Sequence, residues 1–132
     1  TALALLPATY AMGYYLEVIA ARARAPLATL ARTQRAQVRT LTTTLIGAAA
    51  GKPPAAEVGY PLPLPIASPE DADALGRRIY TDAIATGGRT AYTLSKNPGD
   101  LGAAMAWTAA LAAWARPWGA QLPPFPGMTL TP

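Results

Sequence analysis

Apolar residues recur along most of this chain at spacings of three and four, the pattern of helices that each turn one side toward a hydrophobic core. The pattern predicts four helices, at about residues 2–23, 26–50, 69–95 and 98–116. The fourth is apolar on nearly every side, which favours a central helix or one that something else covers. The chain is therefore predicted to be all-α.

Capping residues mark the starts of the third and fourth predicted helices. Ser68 precedes Pro69, and Asn97 precedes Pro98. A side-chain oxygen at the N-cap, followed by proline in the first turn, is a favoured helix start. The third helix also contains a pair of glycines that begins at Gly87. Glycine weakens a helix interior, so we expect a kink or a close helix crossing there.

Proline-rich sequence separates the second helix from the third, over residues 51–68, and ends the chain, over residues 117–132. Repeated prolines oppose both helix and sheet hydrogen bonding, so these segments are predicted to be extended. At about 3.1 Å per residue, the first segment spans about 50 Å, which is longer than the helix before it. It can therefore start the third helix parallel to the second. The predicted fold is a single ferritin-like four-helix bundle over residues 1–132, with a long Pro-rich crossover and an extended Pro-rich tail.

The composition excludes several kinds of chemistry. The 132 residues include no cysteine, which excludes disulfides, thiolate metal sites and thiol nucleophiles. They also include no histidine, so the commonest metal ligand and the usual general base at neutral pH are both missing. We therefore predict a protein that is not an enzyme and that binds no cofactor.

Charge is unevenly distributed in this chain, whose formal net charge is +4. No acidic residue occurs between Glu17 and Glu57, and Arg32, Arg35 and Arg39 share one face of the second predicted helix. This basic face suits an anionic membrane surface or an acidic protein partner, and simple solvation is the alternative. Nucleic acid is a poor candidate partner, because this helix carries no aromatic residue on which a base can stack.

A membrane-spanning helix is not expected, because no run reaches about 20 apolar residues. The nearest is residues 101–115, whose many small residues favour a buried helix of the bundle. The sequence starts at Thr1, which is compatible with ordinary removal of an initiator Met and equally with a preceding signal or anchor segment.

Four segments, in this order, resemble a family of actinobacterial ferritin-like domains of unknown function. They are MGYYLEVIAARAR, RTQRAQVRTL, PPAAEVGYPLPLPIASPEDA and WARPWGAQLPPFPGM. The resemblance covers nearly the whole chain, and the crossover and the tail are its most specific parts. It implies a four-helix ferritin-like bundle but no particular activity. Relatives tend to carry a Glu-His pair in the first helix, where Thr9 and Tyr10 stand here.

A di-metal centre is the first activity to consider for a ferritin-like bundle. Such a centre needs a Glu from each of two helices and a Glu-x-x-His motif from each of the other two. Of the three glutamates, only Glu17 falls in the interior of a predicted helix, which predicts that no such centre forms.

Glu17, Asp82 and Tyr80 are the candidate buried polar residues. Glu17 lies among apolar residues, and a buried carboxylate needs a partner. We expect Glu17 to form an ion pair with Arg39 or Arg78, or else a hydrogen bond with a tyrosine, Tyr80. Asp82 is expected to pair with Arg78, four residues earlier, or with a tyrosine.

These observations favour a non-catalytic interaction or accessory subunit of a larger assembly, for example a membrane-bound respiratory one. The candidate partner surface combines the basic face with aromatic residues of the fourth helix and the tail: Arg32, Arg35, Arg39, Trp107, Trp114, Trp118 and Phe125. Extended Pro-rich segments suit docking because they lose little entropy on binding. The expected location is the cell envelope, at the outer face of the cytoplasmic membrane, with the cytoplasm as the alternative.

Two other functions remain open on the sequence. One is a small-molecule or lipid carrier, with a cavity between the helices lined by Met12, Tyr15, Met105 and Trp107. The other is a ferritin-like di-metal oxidoreductase. A ligand bound to the purified protein would favour the carrier, and stoichiometric iron or manganese would favour the oxidoreductase.

Overall fold

The structure is a computed structural model that describes residues 2–48 and 53–120. All regular secondary structure in these two ranges is helical. Short 3-10 helices stand at both ends and four α-helices lie between them: the 3-10 helix Ala2–Leu5, α1 (Leu6–Arg22), α2 (Leu27–Ala48), α3 (Pro69–Thr93), α4 (Pro98–Ala115) and the 3-10 helix Arg116–Trp118. The prediction of an all-α fold with four helices is confirmed.

The two predicted N-caps form. Ser68 Oγ accepts a hydrogen bond from the N–H of Asp71 at 3.2 Å, and Asn97 Oδ1 accepts one from the N–H of Asp100 at 3.1 Å. Each bond satisfies one of the N–H groups that a first helical turn leaves unpaired. α3 and α4 consequently begin at the prolines that follow these caps.

The helices form two hairpins that pack side by side. α1 pairs with α2, α3 pairs with α4, and α1 also packs against α3. The end of α1 lies near the start of α3, because Arg24 Nη1 is 3.9 Å from Glu70 Oε1. Further back along α1, Ala8 lines a groove together with Thr86 of α3. α1 is therefore antiparallel to α3 as well as to α2, so α2 and α3 point in the same direction.

The connection between α2 and α3 follows α1. Residues 53–68 contain no helix before α3 begins. The Tyr10 hydroxyl donates a hydrogen bond to the carbonyl oxygen of Pro54 at 3.0 Å, and the Tyr15 hydroxyl donates one to that of Pro61 at 2.8 Å. The chain thus travels back along α1 from the end of α2 toward the start of α3.

The core lies between the two hairpins and is built from residues that recur every three or four positions. In α1 the buried residues are Leu6, Thr9, Met12, Leu16 and Ile19.

Two glycines let other elements approach α3 closely. A Cβ atom on Gly87 would lie 2.1 Å from Thr108 Oγ1, and one on Gly76 would lie 2.3 Å from the Trp118 ring. The predicted close helix crossing is found at Gly87, and α3 continues through it.

One stretch of the described residues, Leu3–Arg22, is long and apolar enough to cross a membrane, with a mean hydropathy of 1.3. No such helix was expected from the sequence, because no uninterrupted run of apolar residues is long enough. The mean hydropathy of this stretch is high even though the stretch includes Glu17. One such helix is a weak indication, since core helices and signal sequences have similar composition. Here the stretch contains α1, whose apolar stripe forms part of the core.

Candidate functional site

A buried polar cluster surrounds Gln34. Its Oε1 accepts hydrogen bonds from the Tyr80 hydroxyl and from Trp118 Nε1, the latter at 2.8 Å. Its Nε2 donates to the carbonyl oxygen of Trp114 at 2.8 Å. One amide thus joins α2 to α3, α4 and the second 3-10 helix. Burial raises the pKa of Tyr80 far above its ordinary value, so this hydroxyl stays protonated and neutral.

Thr9 belongs to a second buried hydrogen-bond chain. Thr9 Oγ1 accepts from Trp107 Nε1 at 3.0 Å and donates to the carbonyl oxygen of Leu5 at 2.7 Å. Trp107 is 1% exposed. The prediction that Trp107 belongs to an outer partner surface is therefore wrong, because its indole N–H finds its acceptor inside the bundle.

Glu17 lies at the surface, so the expectation that it is buried is also wrong. Its side chain is 59% exposed, and its Oε2 is 3.4 Å from Arg35 Nη2. This ion pair takes the place of the predicted bond to Arg39, Arg78 or Tyr80. The residue before Glu17 belongs to the core stripe of α1, so Glu17 is turned about 100° away from the core.

Asp82 is exposed on α3 and pairs with Arg78. Arg78 Nε lies 3.1 Å and 3.0 Å from the two carboxylate oxygens of Asp82. The pair has the expected i−4 spacing, but neither side chain is buried. An exposed pair of this kind contributes only about 0–1 kcal/mol to stability. Of the three candidate buried polar residues, Tyr80 alone is buried.

In the part of the chain that the structure describes, no three acidic side chains come close enough together to hold a metal ion. Glu17, Glu70 and Asp82 lie instead in surface ion pairs, and Asp71 and Asp100 lie in the first turns of α3 and α4. Glu17 pairs with Arg35, and Asp71 Oδ2 accepts a hydrogen bond from the N–H of Ala67 at 2.9 Å beside the α3 cap. The prediction that the protein binds no cofactor stays a prediction.

The basic face of α2 lies on the α1–α2 side of the bundle. Arg35 is held by its ion pair with Glu17, and Arg32 Nη2 donates to Thr29 Oγ1 at 3.3 Å. Arg32 and Arg39 are exposed. Two of the three guanidinium groups are therefore open to an anionic surface.

An apolar groove runs between α3 and α4. Its volume is about 480 Å³. It is lined by uncharged residues from the second half of α3, the turn after it and α4: Gly88, Ala91, Tyr92, Ser95, Leu101, Met105, Thr108, Ala109 and Ala112. Tyr92 is 84% exposed and Met105 is 59% exposed, so two large side chains stand in solvent beside the groove.

The outer face of α4 adjoins this groove and is also uncharged. Between Asp100 and Arg116 the helix contains no charged residue. Apart from Met105, its exposed positions within this stretch hold only small residues: Gly102, Ala106, Ala109 and Ala113. Small side chains let another helix approach closely. We refer to the groove and this face together as the α3–α4 surface.

Residues 2–130 match the family described as Domain of unknown function (DUF4439). The chain belongs to this family. The resemblance to a family of unknown function is thereby confirmed, and the description of DUF4439 names no activity. No curated protein matches the chain.

A solved structure resembles this DUF4439 chain in fold. It is the crystal structure of a conserved hypothetical protein, rv2844, from Mycobacterium tuberculosis. The two agree with a TM-score of 0.76 at 24% sequence identity, over 89% of this chain and 91% of that chain. At this identity the likeness shows the fold alone.

The four residues predicted to line a carrier cavity do not all share one space in this DUF4439 chain, although Met12 and Tyr15 both line a smaller groove between α1, α3 and the crossover. Met12 and Trp107 are buried in the core, whereas Met105 lies on the α3–α4 surface. Tyr15 faces the crossover through its bond to Pro61. The groove between α3 and α4 is an open apolar space on the outside of the bundle.

The other three aromatic residues that were assigned to the partner surface have different outcomes. Trp118 is 3% exposed, with its ring centroid 6.5 Å from that of Tyr80. Its assignment to a partner surface is therefore wrong, because it fixes the second 3-10 helix to α3. Trp114 is half-buried against the core. Phe125 lies outside the described residues.

Sequence reasoning did not identify Gln34 as the centre of a polar cluster or Tyr92 as part of an exposed surface. A signal for Gln34 exists, because it is a polar residue at a position of the inner apolar stripe of α2. No comparable signal exists for Tyr92, since an aromatic residue near a helix end packs inward or outward with the same local pattern.

Proposed function

We propose that this chain is a ferritin-like four-helix bundle that acts as a non-catalytic docking subunit. Its α3–α4 surface receives an uncharged, apolar helix of a protein partner within a larger, membrane-bound assembly of the cell envelope. The parallel α2 and α3 and the long connection along α1 support the ferritin-like assignment, because bundles of that class have one long crossover.

The observation that carries the proposal is the uncharged, apolar character of the α3–α4 surface. The centres of protein interfaces are depleted in charge and enriched in aromatic residues and Met. Tyr92 and Met105 stand exposed beside a groove whose lining has no charged residue. Covering such a surface with another apolar surface is favourable, since it removes apolar area from water.

An uncharged helix suits this surface for two reasons. A charged side chain entering the groove would lose its hydration and find no counter-charge there, which is unfavourable. The small residues Gly102, Ala106 and Ala109 let a helix backbone come close. A partner helix with small and aliphatic residues on one face meets both conditions.

The basic face of α2 has an orienting role in this proposal. Arg32 and Arg39 are exposed on the α1–α2 side of the bundle, away from the α3–α4 surface. Each cation near an anionic membrane surface contributes about 1 kcal/mol of attraction. With this face toward the membrane, the α3–α4 surface meets a part of the assembly that lies outside the bilayer.

Matched charge substitutions test the proposal. Ala109→Glu places a carboxylate in the groove, and Ala36→Glu places the same group at an exposed position of α2. We expect the wild-type protein and the Ala36→Glu variant to recover the same partner in equal amounts from detergent-solubilised membranes, where the basic face of α2 has no membrane surface to contact. The Ala109→Glu variant should recover at least about tenfold less, since an unpaired charge in the interface costs more than about 1.4 kcal/mol.

Equal recovery by all three proteins would contradict docking at the α3–α4 surface. Recovery of a second copy of this chain in place of a different protein would also contradict it. Circular dichroism of the two variants should match that of the wild type, which excludes unfolding as the reason for any loss.

The volume of the groove favours one further candidate function, the binding of a small apolar molecule. About 480 Å³ falls within the range of small-molecule sites. Native mass spectrometry should then show an added mass that Ala109→Glu removes and Ala36→Glu retains. A protein that carries no added mass when purified from its own cells would contradict the carrier function.

A further inference from the structure

We infer that a second groove, between α1, α2 and the crossover, binds a zwitterionic phosphodiester in which a short linker joins the phosphate to an ammonium group. Its lining comes from within residues 9–17, 35–42 and 56–60, and we call it the crossover groove. Its volume is about 300 Å³, at the lower end of the range of small-molecule sites. None of the described residues that line it also lines the α3–α4 groove, so binding here does not depend on the docking function proposed above.

Two basic and two acidic side chains line the crossover groove. Glu17 and Arg35 neutralise each other, because Glu17 Oε2 is 3.4 Å from Arg35 Nη2. Arg39 of α2 and Glu57 of the crossover are exposed, and neither forms an ion pair with another residue that the structure describes. One unpaired cation and one unpaired carboxylate therefore remain, which suits a ligand that carries both signs of charge.

Two tyrosine hydroxyls of the crossover groove have protons to donate. The Tyr14 hydroxyl forms no hydrogen bond with the described residues. The Tyr60 hydroxyl accepts a hydrogen bond from the N–H of Glu57 at 3.0 Å, which leaves its own proton free. Backbone carbonyl oxygens already take the protons of the other hydroxyls in the lining, those of Thr9, Tyr10 and Thr42.

These donors favour a phosphate as the anionic part of the ligand. Arg39 belongs to α2, Tyr14 to α1 and Tyr60 to the crossover, so the donors come from three sides of the groove. A carboxylate accepts hydrogen bonds close to one plane, whereas a tetrahedral phosphate accepts them from several directions. A guanidinium group also forms paired hydrogen bonds with phosphate oxygens.

Aromatic rings favour an ammonium group as the cationic part. The rings of Tyr14 and Tyr60 pack with their centroids 5.9 Å apart. Aromatic faces attract cations, and an ammonium group is one that they bind. Glu57, whose backbone N–H is bonded to the Tyr60 hydroxyl, adds a carboxylate beside these rings. Because the linker of phosphoethanolamine is short, one pair of tyrosines can contact both of its charged groups.

The crossover groove opens to the surface of the molecule. Arg39, Glu57 and Val58 all line it and are all exposed. The second ester of a bound phosphate therefore has room to extend outward, either to the glycerol and acyl chains of a lipid or to the remainder of a soluble molecule. Phosphoethanolamine chemistry is common to the two sources.

Titration followed by NMR tests the site in the full-length protein with two soluble phosphodiesters, glycerophosphoethanolamine and glycerophosphoglycerol. Both carry the phosphate, and only the first carries an ammonium group. We expect the wild-type protein to bind glycerophosphoethanolamine at least about tenfold more tightly, since its ammonium group gains the attraction of Glu57 and the tyrosine rings.

Matched substitutions locate the binding. Arg39→Gln and Glu57→Gln each remove one charge from the crossover groove, whereas Arg32→Gln and Glu70→Gln remove the same charges outside it. We expect the first two to weaken glycerophosphoethanolamine binding at least about tenfold, and the two controls to change it less than about twofold. All four positions are exposed, so the variants should remain folded. Equal losses in groove and control variants, equal affinity for the two phosphodiesters, or binding of neither would overturn the inference.

Vesicles distinguish a lipid headgroup from a soluble ligand. Vesicles of phosphatidylethanolamine and phosphatidylglycerol carry a net negative charge, so the loss of an acidic residue should by itself increase cosedimentation. A decrease for Glu57→Gln, with none for Glu70→Gln, would support a lipid headgroup as the ligand. An increase for both variants would support a soluble phosphodiester.

Discussion

At the scale of single residues, Gln34 is the point at which four elements meet. Its amide oxygen accepts from Tyr80 and Trp118, and its amide nitrogen donates to the carbonyl oxygen of Trp114. Glutamine suits this position because it offers an acceptor and a donor on one neutral group. All three contacts are buried or partly buried, where an unpaired polar group is destabilising.

Gln34→Leu should destabilise the protein strongly. Leucine keeps an apolar side chain of similar size but leaves a hydroxyl, an indole N–H and a carbonyl oxygen without their partner. We expect the free energy of unfolding in urea to fall by about 3 kcal/mol. Gln37→Leu makes the same change at an exposed position of α2 and should have little effect. Equal losses in the two variants would contradict the role of the cluster.

The stability of the protein should fall at alkaline pH because Tyr80 is buried. Its hydroxyl has an ordinary pKa of 10.0, which burial raises in the folded state. Above pH 10 the unfolded chain loses this proton while the folded chain keeps it, so the free energy of unfolding falls as the pH rises. Below that pH the group contributes no pH dependence.

Urea unfolding between about pH 9 and pH 11 checks this expectation. Tyr80→Phe should start from a lower stability, because it loses the bond to Gln34, and should lose less stability over this range than the wild type. Parallel curves for the two proteins would contradict the assigned protonation of Tyr80.

At the scale of elements, the α3–α4 hairpin owes its close packing to one glycine. A Cβ atom on Gly87 would lie 2.1 Å from Thr108 Oγ1 and 2.9 Å from the Trp107 ring. Thr108 in turn donates its hydroxyl hydrogen bond to the carbonyl oxygen of Ala104 at 2.8 Å. The contact therefore cannot relax by moving the far end of a flexible side chain.

Gly87→Ala and Gly102→Ala should change stability in opposite directions. Alanine favours a helix by about 1 kcal/mol over glycine, but at Gly87 overpacking of about 1–3 kcal/mol opposes this gain. Nothing lies within 4 Å of a Cβ atom on Gly102, so that variant should be stabilised. Thermal unfolding of both variants checks the difference, and a stabilised Gly87→Ala would show that α3 and α4 do not pack this closely.

At the scale of the whole molecule, the long connection decides the relative direction of the helices. The sequence predicted helix starts at Ser68 and Asn97, because caps are local features of a few residues. It also predicted the parallel second and third helices, because prolines keep the connection extended and its number of residues lets it span the length of a helix. Both of these features depend on local chemistry rather than on distant contacts.

The candidate site was harder to predict, because burial depends on which helix lies opposite. Glu17 has apolar neighbours in sequence, yet it faces Arg35 at the surface. Trp107 belongs to a helix that is apolar on nearly every side, so its periodicity does not say which side faces the core. The exposed side of that helix emerges only when the packing of α3 is known.

The most direct measurement of the central claim is site-specific photo-crosslinking in the native cell envelope. The photoreactive residue replaces Met105 on the α3–α4 surface or, as a control, Gln37 on the exposed face of α2. We predict one adduct from position 105, formed with an uncharged helix of a different protein and lost when Ala109→Glu is added, and none from position 37. Equal adducts from both positions, or no protein adduct from position 105, would contradict docking at the α3–α4 surface.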